Sequence, residues 1–81
     1  MQYYFHSHAH MRMMTRMAPV GIGESDVLGV IAAPQKGPEL ADFGRVNVWG
    51  HGANGVRIRV TYHPATGEIR TVAIADGRLE P

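Results

Sequence analysis

Residues 56–62, VRIRVTY, alternate strictly. In an extended chain Val56, Ile58, Val60 and Tyr62 point one way and Arg57, Arg59 and Thr61 the other. A helix scatters such a period-two pattern around its circumference, so the segment fits a strand with one buried face and one polar face. Turn-forming segments flank it: GHGANG at 50–55, with three glycines and an asparagine, and HPATGE at 63–68. Beyond the first turn, RVNVW at 45–49 alternates Val46 and Val48 with Arg45, Asn47 and Trp49. Beyond the second, EIRTVAIA at 68–75 is apolar on both faces, as expected of a strand inside a sheet. The reading is a three-stranded antiparallel meander, and Val46, Val48, Val56, Ile58 and Val60 need a cover.

The N-terminal half supplies that cover. QYYFH at 2–6 suits a short strand. Residues 8–17 contain no Gly, no Pro and no β-branched run, and Ala9, Met13 and Met17 recur every four residues, as on the buried stripe of a helix. Ser7 stands where an N-cap belongs. Pro19 and Gly21 break this helix, and a second is predicted over 24–33, with Glu24 and Asp26 in its first turn. Val27, Leu28 and Ile31 form its expected apolar face and Pro34 its end. Gly29 inside it costs about 1 kcal/mol relative to alanine, so packing must support the helix. QKGPELADF at 35–43 reads as a loop, and DGRLEP at 76–81 as a frayed tail. The expected fold class is α+β: (β)αα followed by the meander, helices on one sheet face. The 81 residues form a single domain.

Composition narrows the function. The chain has no cysteine, which removes disulfides and thiolate metal sites and fits a reducing compartment. No apolar run approaches the roughly 20 residues that span a bilayer, and the N-terminus lacks the basic-then-apolar order of a signal peptide. A cytoplasmic protein without a membrane partner is expected. His6, His8 and His10 alternate, but the helix predicted from residue 8 separates them and no acid lies near in sequence, so no metal site is expected. The glycines at 50, 52 and 55 suit a hairpin better than a phosphate-cradling loop, since no helix follows them. No cofactor is expected.

The net charge of +1 hides an uneven distribution. Residues 1–23 hold Arg12, Arg16 and three histidines and no acid; residues 43–67 hold Arg45, Arg57, Arg59, His51 and His63 and again no acid. Brought together, these segments form a basic patch that attracts phosphate. Seven of the eight basic residues are arginine, whose planar donor fork suits phosphate and base stacking, although a GC-rich genome produces the same bias. The sheet face opposite the helices should carry Arg45, Asn47, Trp49, Arg57, Arg59 and Thr61, an RNA platform, with Trp49 stacking a base, capping the sheet end or lying in a homodimer interface. His63 is either a second acid/base near that platform or a solvated turn residue. His8, Arg12 and Arg16, four apart, share one helical stripe. A histidine that shuttles protons and arginines that hold phosphate are the parts needed to cleave RNA through its 2′-hydroxyl.

HAHMRMMTR at 8–16 resembles the block HAxxRMxxR. That block opens a family of small bacterial domains of uncharacterised function, found alone and at the ends of polymorphic toxins. Gly21-Ile22, Asp26-Val27, Pro34, Gly44-Arg45, Arg57 and Thr71-Val72 follow in the family's order, so the resemblance covers about residues 5–75. Met17 to Val20 stand as an insertion, and Gly23 replaces the usual serine cap of the second helix. The family is similar to the RelE, barnase and EndoU-type ribonuclease toxins. The resemblance implies a metal-independent ribonuclease with His8, Arg12, Arg16, Arg57 and Thr71 around one site. It also implies RNA as substrate and an antitoxin or immunity protein as partner. Arg45, Trp49, Arg57, Arg59 and His63 would bind the RNA. The other reading is a non-catalytic module that holds nucleic acid or protein on the same basic surface.

Overall fold

The alternation at 56–62 becomes the middle of a five-stranded sheet. The computed structural model describes residues 2–75, so the tail read as frayed lies outside the described residues. The strands are β1 (Tyr4–Phe5), β2 (Lys36–Leu40), β3 (Val46–His51), β4 (Arg57–His63) and β5 (Glu68–Ile74), in spatial order β1-β5-β4-β3-β2. β2 to β5 are antiparallel neighbours, and β1 joins β5 in parallel. The fold class is α+β. The expected three-stranded meander is present as β3-β4-β5, but the sheet is larger and mixed.

The extra antiparallel strand, β2, falls in the stretch read as a loop. All five of its residues are exposed, so no hydrophobic alternation marks it. Pro38 is tolerated because β2 is an edge strand, where a missing N–H faces outward. The register shifts between Lys36 and Glu39. Gly37 lies there at φ 90° with its α-carbon close against β3: a Cβ would come 2.6 Å from the Asn47 carbonyl oxygen.

The helical layer covers one face. α1 (Ser7–Arg12) continues as a wide π-type turn over Met13–Met17 and a tight turn over Ala18–Val20. Pro19 lacks an N–H and crowds the preceding turn, and Thr15 Oγ1 donates to the Met11 carbonyl, so the regular ladder ends early. Gly21, in the left-handed conformation, closes the segment. Ala9, Met13 and Met17 are buried as the spacing predicts. The cap differs from expectation: His6 is the N-cap, its Nδ1 accepting the His8 N–H, and Ser7 is the first helical residue.

α2 (Glu24–Ala32) buries Val27, Val30 and Ile31, while Leu28 is 40% exposed. The buried set follows the i, i+3, i+4 spacing, which rotates Leu28 out of the stripe assigned to it. These helical residues join Val48, Ile58, Val60, Ile69 and Val72 in one core, with Phe5, Val56 and Tyr62 packed at its margin. Ile69 and Val72 are three apart and would face opposite ways in a regular strand. A bulge resets the phase: Tyr62 pairs with Ile69 and Thr61 with Thr71, leaving Arg70 as the extra residue. Among the described residues no helix is long and apolar enough to cross a membrane.

Candidate nucleic-acid interface

The face of the sheet away from the helices is built by alternation. Ile58 and Val60 point into the core, so Arg57, Arg59 and Thr61 point outward. The register then sets their neighbours in rows across the strands. One row runs Tyr4, Glu68, His63, with Arg45 at the same level at the start of β3. The next runs Thr71, Thr61, Asn47, Glu39. The third runs Ala73, Arg59, Trp49, Lys36. In the fourth, Arg57 lies opposite His51.

Within these rows the side chains engage one another. Lys36 Nζ sits 4.9 Å from the centre of the Trp49 ring, a cation–π contact, and 3.9 Å from the Glu39 carboxylate. Thr61 Oγ1 donates to Asn47 Oδ1 at the middle of the face. The Arg45 guanidinium lies 5.5 Å from the ring centre of Phe43, a residue held at φ 60° in the tight turn Asp42–Gly44. Among the described residues, Arg45 Nε, Arg59 Nε and His63 Nδ1 are buried atoms with no hydrogen-bond partner. Such atoms carry a desolvation cost without a compensating bond, a condition that a bound ligand can relieve.

The glycine neighbours of His51 predict a hairpin loop, whereas β3 runs two residues further and carries it onto the outer face. Its Nδ1 bonds Gln35 Oε1. An amide oxygen only accepts, so Nδ1 is the donor in this bond and Nε2 is the ring nitrogen left for a ligand. Extending the alternation Arg45, Asn47, Trp49 by one step was the signal that finds His51. Lys36 carried no such signal, because nothing in KGPEL marks a strand.

The structure divides the residues singled out from the sequence. Arg45, Trp49, Arg57, Arg59 and His63 gather on the outer face with Thr71. All of them are half-buried, so their side chains are braced by their neighbours as well as exposed. His8, Arg12 and Arg16 lie on the helical layer, each one residue before a member of the buried stripe. The sheet therefore stands between the two groups, and the acid-free segments make two basic surfaces instead of one. His8 and Arg16 are exposed and Arg12 is half-buried. Among the described residues no three His, Cys, Asp or Glu side chains converge to hold a metal. Comparison with protein-family models, curated proteins and solved structures returned no significant match.

Proposed function

We propose that the chain binds single-stranded RNA on the open face of its sheet and cleaves it there without a metal. The observation that carries this reading is the arrangement of Arg59, Trp49 and Lys36 in one cross-strand row beside the Arg57–His51 pair. Aromatic rings on an open sheet stack bases, and guanidinium groups neutralise the backbone between them. Directly opposed residues on neighbouring strands have Cβ atoms about 4.5–5.5 Å apart. Arg57 and His51 can therefore address the same nucleotide.

In the cleavage step His51 Nε2 takes the proton of a 2′-hydroxyl and the 2′-oxygen attacks the adjacent phosphorus. The 5′-oxygen leaves and takes a proton from water, giving a 2′,3′-cyclic phosphate. Arg57 offsets the charge that builds on the phosphoryl oxygens. Gln35 holds the imidazole in the basic tautomer.

A second reading keeps the chemistry on the helical layer, with His8 as proton shuttle; it is favoured by the exposure of His8 one turn from Arg12. Cleavage of a fluorescent single-stranded RNA by His51→Ala and His8→Ala variants separates the two. Loss of about two to four orders of magnitude is expected for the residue that moves the proton, and little change for the other. Activity should persist in EDTA and stop when the 2′-hydroxyl at the scissile position is replaced by hydrogen. Wild-type protein that binds RNA but leaves it intact reduces the function to binding alone. Wild-type protein that binds no RNA removes both.

A further inference from the structure

A groove of about 260 Å³ opens between α2 and the end of β3, with His51 in its lining. Ser25, Asp26, Gln35 and His51 give it a polar lining, and Gly29 and Gly50 line it without side chains. Sites for drug-sized ligands run to roughly 300–1,000 Å³, so this one suits a single planar heterocycle.

The polar groups are partly committed, which defines what remains to be read. Gln35 Oε1 is held by His51, leaving the Gln35 amide N–H groups as donors. Each Asp26 oxygen accepts one backbone N–H, from Gly23 and from Ala53, and keeps a further lone pair. The Ser25 hydroxyl both donates and accepts. Donor and acceptor thus face one small slot, and the edge of a nucleobase presents the same alternation in reverse.

Gly29 adds an independent argument. It sits in the interior of α2, where glycine weakens a helix, yet no packing contact demands it. A Cβ built there has no neighbour within 4 Å. Gly50, in contrast, lies so close to Val30 that a Cβ would come within 3.0 Å of it. A side chain at Gly29 would stand in open space on the wall of the groove.

We infer that this groove is a nucleobase subsite, holding one base of the RNA strand whose phosphates lie along Arg57 and Arg59. The inference rests on the proposed RNA-binding face, to which His51 joins the groove. It gives the protein a base preference at one position, which the stacking of Trp49 alone does not supply.

The test uses the full chain, the four ribonucleoside 3′-monophosphates and an abasic ribose-phosphate oligomer. The monophosphates should shift the backbone amide resonances of Gly29, Gln35 and Gly50 and bind with unequal affinities. Gly29→Leu fills the groove from a position with room for it, so the melting temperature should hold or rise. Its affinity for the preferred monophosphate should fall about tenfold or more, with the oligomer bound as before. Ser25→Ala should weaken the preference without filling the groove. Monophosphates that bind wild type and Gly29→Leu alike, or that shift resonances elsewhere, overturn the groove. An oligomer that does not bind, or whose binding ignores Arg57→Ala and Arg59→Ala, overturns the RNA face instead.

Discussion

Asp26 ties the start of α2 to the turn between β3 and β4 through one carboxylate. Oδ2 accepts from Gly23 at the start of α2, and Oδ1 accepts from Ala53 in the turn between β3 and β4. These two bonds, Gly23 first, hold its carboxyl below the usual aspartate range. A lowered folded-state value means that the native fold favours the ionised form. The stabilisation is then complete above the ordinary aspartate range and is lost as pH falls through the lowered value. Asp26→Asn should therefore melt lower than wild type near neutral pH, and the gap should narrow under strong acid. Thermal melts across an acid series check this; a gap that stays constant would show that charge plays no part. At the same scale, Arg57→Ala and Arg59→Ala should each reduce the salt dependence of RNA affinity by about one unit of slope if these side chains meet phosphates. Affinity titrations between low and high salt read that slope directly. The positions of both arginines were legible in the sequence, because strict alternation around Ile58 and Val60 leaves them one direction to face. Partners set by long-range register, such as Gln35 for His51, were not.

Among the elements, β5 shows where local pattern misleads. Regular alternation puts Ile69 and Val72 on opposite faces, and the bulge at Arg70 brings both into the core, while Ala73 lies on the outer face. Deleting Arg70 should restore a regular strand with both residues still facing in. The variant should fold cooperatively, whereas deleting Thr61 from the regular strand β4 should flip every later side chain of that strand and abolish folding. Circular dichroism melts of the two deletions decide it. The first helical segment shows its buried stripe in the sequence but not its wider turn. Met17 lies past the change to the wider turn, yet it is 1% exposed. Met17→Ala should destabilise the protein by about 2–5 kcal/mol in a denaturant titration, as for other large-to-small core changes. β2 was missed because an exposed edge strand has no buried face and hence no periodicity, and its pairing depends on the backbone of β3. Leu40 at its end is 92% exposed and Phe43 just beyond is 81% exposed, so hydrophobicity there was no guide to burial.

Across the whole molecule, the two layers give the protein two unlike surfaces, a helical one with His8, Arg12 and Arg16 and a sheet face with Arg45, Arg57 and Arg59. The segregation of acids in the sequence showed that basic surfaces would exist, but their separation depends on which side of the sheet each segment occupies. The strand order has a further consequence. Among the described residues β1 is the first strand and its sheet partner β5 the last, while α1 packs over β5. During synthesis the opening residues wait for the final strand, and the aromatic segment Tyr3–Phe5 has no sheet to join until Ile69 has left the ribosome. A chain ending at His63 should accordingly be susceptible to protease and fail to show a cooperative melt, although most of its residues are present. Extending it to Ala75 should restore both protease resistance and the melt. The outer face of the sheet is therefore completed only once β5 has emerged, and a chain cut before it lacks two of the five strands in their places.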